Sequence, residues 1–579
     1  MLNDFAPHEP NPHAWFASER AELSAMKRPA VVATFFLGAL LIAQLGFLCW
    51  CNLTQWQSHL DGDSSTQILK VLEIWKAGSL SLPNWNDTTT LLLDMPLTLA
   101  AFLMPVLRDP FTAYGVSNIV WLAFLIYGIW QLLRRVSCAM PLRMLALFLI
   151  LTPYSYTEVL GYANCLLVQS AYYLVRAVYM VYLMYCLVQL HRGERGFGHL
   201  ITWLFTLGLG AWIGMSSGTF MLLLVLLPVI AGFLVRAFAA GRPRLLLSAG
   251  SAFLVLSLLG FGAGYYVQRN IIHFSSRDSV IAWNSYTEFL PNLSKVIQGY
   301  LKLTNALPAE DGVMILSGEG ILFALSFVVA VVILGGTLLC AWRIGHSPAA
   351  ACRAAGGERG LLFTVLLSIV GVDTLILIGA SLAYGELVYE SRYLIFLLMA
   401  SVLLLALCLP WFRRAGGLYA PVVVLLAAIS TCSAFVCDAQ YVAHPSYDFS
   451  YAKAVTQALD EAYPDVKVVY MYTDDHDRKV LRTADATKVY RMITGNYNPG
   501  DYTYYNDGSG LEEGSLLLAT DAQYAAMDPA LSSRFVKTDL PQFWLYLDMT
   551  GYSTNDPQPY SAYYCADGGI DLTSLPATD

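Results

Sequence analysis

Long apolar runs separated by short polar or basic stretches dominate the chain between residues 29 and 437. A helix needs roughly 20 apolar residues to cross a bilayer. Runs of this kind predict about eleven spans, at 29–51, 111–133, 141–157, 165–190, 200–215, 218–235, 245–267, 321–342, 361–380, 393–412 and 418–437. The first follows Lys27 and Arg28 and lacks a small-residue cleavage site, which reads as an uncleaved anchor behind a cytoplasmic N-terminus. Residues 91–107 are apolar enough to cross as well, but a span there would put Arg134, Arg135 and Arg143 outside. The positive-inside rule therefore decides against a span and leaves 91–107 at the outer surface or as a re-entrant segment. With that choice the basic clusters at Lys27/Arg28, Arg134/Arg135/Arg143, His191/Arg192/Arg195, Arg236/Arg242/Arg244, Arg343/Arg353/Arg359 and Arg413/Arg414 all fall inside.

An odd number of spans leaves everything after residue 437 outside. There the pattern changes to short mixed segments: a helix at 451–463, a buried strand at 466–472, a second helix at 478–493, and strands at 515–519 and 543–548. The expected architecture is an all-α polytopic membrane protein with a small extracytoplasmic α/β domain. Its parts are a cytoplasmic segment 1–28, a membrane domain 29–437 with a long external loop 52–110, and the outer domain 438–579. Tyr-rich residues 496–510 form a loop whose rings could stack on sugars or simply pack.

Composition agrees: 56% of residues are hydrophobic and 13% charged, half the charge of an average soluble domain. The net charge of −8 is uneven, because residues from Tyr441 onward carry −11 and everything before carries +3. No basic face exists for a polyanion, so nucleic acid is not a partner. Most of the eleven cysteines lie in apolar runs and read as small hydrophobes. Three sequons, at Asn52, Asn86 and Asn292, fall in expected external segments.

The external loop opens with Leu-Asp-Gly-Asp-Ser-Ser-Thr-Gln-Ile-Leu from Leu60. Ile68, Val71, Leu72 and Trp75 then recur at i, i+3, i+4 and i+7, which predicts an interfacial helix with Lys70 and Glu73 on other faces. A Ser64/Gln67 capping box and Gly78 set its ends, and Asp61 and Asp63 stand beside its positive N-terminus. An Asp ahead of a helix is commonly a cap. Two carboxylates at the outer membrane boundary can instead take a proton from a hydroxyl or hold a divalent cation such as Mg or Mn. The Asp-x-Asp spacing alone does not choose.

Other charges stand out by position. Arg392 opens the tenth span, and Arg269 and Arg277 lie in the external segment 268–320, so all three could grip a phosphate. Arg176 and Asp373 fall mid-membrane, where isolated charge is costly, and could pair with each other. Glu158, near the outer end of the third span, could meet an acceptor. Residues 474–477 (Asp-Asp-His-Asp) suit a solvated helix start better than a metal site, and no nucleotide-binding or nucleophile-elbow motif occurs.

The Asp63-Ser-Ser-Thr-Gln-Ile-Leu stretch, with Leu82-Pro-Asn-Trp85, Leu93-Asp-Met-Pro-Leu97 and Glu390-Ser-Arg-Tyr393, resembles a group of bacterial polytopic proteins within the GT-C superfamily of membrane glycosyltransferases. The layout of one anchor, a long acidic external loop, many spans and an outer tail is similar too. The resemblance implies a lipid-linked sugar donor on a polyprenyl phosphate and a glycan or lipid acceptor of the cell envelope. It puts Asp63 in the place of the superfamily's catalytic acid, with Asp61 its neighbour. A transporter or flippase of lipid-linked saccharides, with Arg176 and Asp373 lining its path, and a non-catalytic envelope scaffold are the competing readings.

Overall fold

The computed structural model describes residues 12–26, 28–82, 85–87, 90–154, 161–194, 196–239, 243–272, 275–276, 281–308, 312–346, 357–382, 391–412, 419–443, 445, 449–471, 475–485, 487–493, 510–545 and 558–569. Among these residues, nine helices are long and apolar enough to cross a membrane, from Ala30–Thr54 to Val422–Ala443. The chain is a multi-pass membrane protein. Two further expected spans correspond to shorter apolar helices, Met140–Leu151 and Leu222–Phe238. Of residues 91–107 only Pro96–Leu107 is helical, and its 12 residues, like the 12 of Met140–Leu151, rise about 18 Å against a hydrocarbon core of ~30 Å.

Two expected spans change shape. The helix expected to reach residue 157 stops at Leu151, because Thr152 precedes Pro153 and takes an extended conformation. The apolar run 165–190 is broken. A five-residue helix, Tyr162–Leu166, is followed by a kink with positive φ at Gln169 (50°) and Ala171 (41°), and the spanning helix Leu174–His191 starts only after it. The kink is held by buried amides. Asn118 Nδ2 donates to the Gln169 carbonyl and to Asn52 Oδ1, each at 2.7 Å, and Asn52 Nδ2 donates to the Leu167 carbonyl at 2.9 Å. Asn52 and Asn292, two of the three sequon asparagines, are buried in the fold. Cys340 and Cys408 face each other across two helices.

One end of the bundle is basic and the other carries the C-terminal region. At the basic end, Arg134 and Arg143 pair with Glu19 of the N-terminal helix, Arg143 also with Glu22, and Arg135 with Glu194. The helix Pro110–Arg135 runs from there to Pro110, about 39 Å along 26 residues. At the far end Phe111 packs edge-on against Phe449 of the C-terminal region, with ring centroids 5.5 Å apart.

The C-terminal region is α/β, as expected. Its six-stranded sheet has the order Val489–Met492, Val468–Met471, Leu516–Ala519, Gln558–Cys565, Phe535–Lys537, with Phe543–Leu545 also pairing Gln558–Cys565. The first three strands are parallel to one another, and Gln558–Cys565 runs antiparallel to its neighbours. The residues expected to form one helix from 478 to 493 divide into a helix, Asp475–Ala484, and the strand Val489–Met492. Alternate residues serve two cores. Val469, Met471, Leu516 and Leu518 face the loop helices, while Val468, Tyr470, Leu517 and Ala519 face Met527 and Leu531. The first core is shared with Ile68, Val71, Leu97, Met104 and Tyr114, so sheet and external loop are packed as one body.

Candidate functional site

The helix Gly62–Ala77 is built around its N-terminus. Asp61, not Ser64, is the N-cap: its Oδ1 accepts the Ser64 amide proton at 2.6 Å, and Ser64 Oγ returns the bond from the Asp61 amide at 2.9 Å. The reciprocal box expected between Ser64 and Gln67 is shifted by one turn. Asp63 therefore sits inside the first turn with its side chain exposed, while Asp61 is half-buried. Burial first, and the Asp63 charge second, push the Asp61 carboxyl up to about 6.

The helix does not lie on the membrane surface along one apolar stripe. Its residues 64–72 are all buried, whereas Trp75 is exposed. Lys70, expected on a polar face, is buried and donates from Nζ to the Leu91 carbonyl at 2.6 Å. Glu73 meets Arg482 of the C-terminal region at 3.3 Å. The reason is tertiary. The C-terminal sheet and the helix Asp475–Ala484 cover the face that a solitary loop helix would turn to lipid or water.

Gln67 Oε1 accepts a hydrogen bond from the Tyr114 hydroxyl, which is also 2.9 Å from the Ser170 carbonyl in the kink. Tyr172, two residues on, packs against both the bundle core and the loop core. Its hydroxyl is pushed well above the usual tyrosine range, first by burial, then by the charges of Asp63 and Asp61, while Arg392 opposes the shift. One phenol thus lies within electrostatic reach of both carboxylates and of Arg392. The guanidinium of Arg392 stands 5.5 Å over the Tyr393 ring, on the turn Ser391–Leu394.

Arg176 does not pair with Asp373. Its Nε and Nη2 donate to the two oxygens of Asp94 at 2.7 and 3.2 Å, and Asp94, fully buried, also accepts from Ser216 (2.7 Å) and Ser217. The apolar segment 91–107 brings an acid to the bundle, so the arginine finds a nearer partner than one on another span. Arg176 also lies over Tyr173 and Phe220, and Phe220 contacts Tyr393, so an aromatic wall joins this pair to the Arg392 turn. Asp373 is fully buried, and neither of its oxygens has a hydrogen-bond partner among the described residues.

Arg269 turns back on its own helix, its Nε donating to the Tyr265 hydroxyl at 3.3 Å. Arg277, Glu158 and residues 496–509 of the Tyr-rich loop lie outside the described residues, as does Asp474. Among the described residues no three His, Cys, Asp or Glu side chains gather to hold a metal. Asp61 Oδ1 is committed to the Ser64 amide, while Asp61 Oδ2 and the Asp63 carboxylate are ligands of the kind a Mg or Mn ion takes together with waters and substrate phosphate.

Sequence reasoning passed over Tyr114, Tyr172 and Asp94. Asp94 left a trace, as the one acid in an apolar stretch facing an arginine expected inside the membrane. The tyrosines left none, because the kink that brings Tyr172 to the acids is made by distant amides.

No family model matches the chain, and no curated protein matches it in sequence. Among solved structures, ArnT from Cupriavidus metallidurans in the apo state superposes with a TM-score of 0.54 at 10% identity, covering 95% of this chain and 100% of that one. The same protein bound to undecaprenyl phosphate gives 0.51 at 10% identity, covering 93% and 99%. The oligosaccharyltransferase of Archaeoglobus fulgidus in complex with Zn and sulfate gives 0.45 at 12%, covering 91% and 73%. The chain shares its fold with ArnT over nearly the full length of both.

Proposed function

We propose that this protein transfers a sugar from a polyprenyl-phosphate donor to a glycan or lipid acceptor of the cell envelope, on the face that carries the C-terminal region. The reading is supported by Tyr172, which packs where the bundle core meets the loop core and whose hydroxyl feels the charges of Asp63 and Asp61 on one side and of Arg392 on the other. The two ends of a glycosyl transfer need opposite charges: a base for the attacking hydroxyl and a cation for the departing phosphate. ArnT, whose fold the chain shares, binds undecaprenyl phosphate, which favours a donor of that class.

The chemistry is a single displacement. The acceptor oxygen attacks the anomeric carbon while the carboxylate of Asp63 takes its proton, and the bond from that carbon to the phosphate oxygen breaks. The electron pair leaves with the polyprenyl phosphate, whose charge Arg392 holds through a planar, two-pronged donor set. Asp63 is the better base because it is exposed and free of the capping bond that Asp61 makes. An ionised Asp61 adds negative potential where the sugar ring gains positive charge. No step is routed through a metal ion.

Purified protein in lipid, given a polyprenyl-phosphate sugar, releases the carrier phosphate only when acceptor is present. Release that is independent of acceptor, or none with any of a panel of envelope acceptors, counts against transfer. A flippase reading would use Asp373 instead. It predicts that Asp373→Asn abolishes movement of lipid-linked saccharide across vesicles while Asp63→Asn leaves it intact.

A further inference from the structure

We propose that the segment formed by residues 281–308 and 312–316 seats itself in the lipid headgroup region, making the bilayer surface its partner. Its residues carry an apolar face that protein does not cover: Trp283 is 82% exposed, Tyr286 91%, Leu290 72% and Leu316 89%. The helix Phe289–Leu303 has three faces. Asn292, Val296, Gly299, Tyr300 and Leu303 are buried against the bundle. Leu290 and Ile297, at i and i+7, form an outward apolar stripe, with Leu301 at its edge half-buried against the core. Lys295 and Lys302, with Ser294 and Gln298, make an exposed polar face.

A helix divided this way satisfies three environments at once: protein on one side, acyl-chain boundary on the second, water and lipid phosphate on the third. Trp and Tyr at the margin and Lys able to reach outward suit the same depth. What lies on either side chooses bilayer over a protein partner. The segment leaves one candidate span, Ala249–Ile272, and returns in another, Gly318–Trp342. Tyr266 and Ile271 on the first and Ile321 on the second are exposed apolar residues at its two margins, so its apolar face continues a belt that already faces lipid.

The seated segment is fastened to the turn that holds Arg392. Backbone pairing joins Ile281–Trp283 to Ala380–Leu382, Asn292 Nδ2 donates to the Ile378 carbonyl at 3.1 Å, and Phe289–Leu303 packs on Ser391–Leu394. Contact with the bilayer thereby holds that turn at headgroup depth, where a lipid phosphate is found.

Spin labels on the full chain in lipid nanodiscs test this. Labels at 290, 297 and 315 collide with oxygen in preference to a water-soluble nickel chelate, and labels at 295 and 302 show the reverse. Equal access of the chelate to both sets overturns the proposal, and so does shielding of 290, 297 and 315 from both reagents, which would mean that protein covers them. Benzoylphenylalanine at 290, with the native cysteines retained, gives an independent reading if cysteine removal harms folding: photocapture of phospholipid supports the proposal, photocapture of polypeptide refutes it. Neither measurement uses turnover, so failure here leaves the glycosyl-transfer reading standing, and the converse.

Discussion

The bond from the Ser64 amide to Asp61, 2.6 Å long, divides the roles of two carboxylates that the sequence alone presents as equals. Asp61→Asn keeps a capping oxygen, so the helix and the fold survive. Because the Asp61 carboxyl is raised to about 6, above its unfolded value, folding favours its protonated form. Its ionisation therefore weakens the native state as pH rises from about 4 through 6. In turnover the sign is opposite: the ionised form helps, so kcat falls as pH drops through about 6. Asp61→Asn removes that inflection and leaves a reduced but flatter profile; an unchanged inflection in the variant would assign it to another group. At Arg392 the prediction concerns geometry rather than charge. Arg392→Lys keeps the cation but loses the two-pronged grip, and the donor KM rises about tenfold or more while the thermal transition stays put. Asp94→Asn leaves the Arg176 guanidinium buried without its counter-charge and costs about 3–5 kcal/mol, seen as a lower Tm. Arg176→Gln added to it recovers part of the loss. An undiminished Tm in the single variant would mean that the pair is not buried as described.

Elements were legible where their cause is local. The apolar runs, the basic clusters and the continuous apolar stretch around Val468–Met471 are properties of neighbouring residues, and they place the spans and part of the tail sheet. Elements set by distant partners were not legible. The run 165–190 reads as one helix because nothing within it shows that Asn52 and Asn118 will hold Leu167 and Gln169 in a kink. The strand Gln558–Cys565 went unread because its polar and aromatic residues gain their meaning from pairing with Leu516–Ala519. The same distinction locates a sensitive contact between helices. A Cβ on Gly115 would stand 1.9 Å from the Asn52 carbonyl oxygen, so Gly115→Ala must push the anchor helix away from Pro110–Arg135. We expect a destabilisation of at least about 1–3 kcal/mol and lost activity, since Tyr114 and Asn118 flank that position. A variant with wild-type Tm would contradict this packing.

At the scale of the whole molecule, charge is separated along the bundle. Arg134, Arg135 and Arg143 meet acidic partners at one end, and the loop helix, the Asp pair and the C-terminal sheet form a second body at the other. The uneven net charge made this separation visible in the sequence, although not that the tail sheet would share a core with the external loop. From the positive-inside rule we propose that the basic end is cytoplasmic. Single cysteines at 63 and 500 are then labelled from outside in intact cells, and labelling only after permeabilisation would invert the topology. The shared core also makes the tail part of the site's frame: Glu73 and Arg482 join loop helix to tail across 3.3 Å.

The claim that Asp63 accepts the proton of the attacking hydroxyl is tested most directly by Asp63→Asn in reconstituted protein, measuring donor binding and acceptor-dependent release of polyprenyl phosphate on the same sample. The account predicts wild-type donor affinity with release reduced by about 100-fold or more, the scale of a lost general base. Release at the wild-type rate from Asp63→Asn would contradict it.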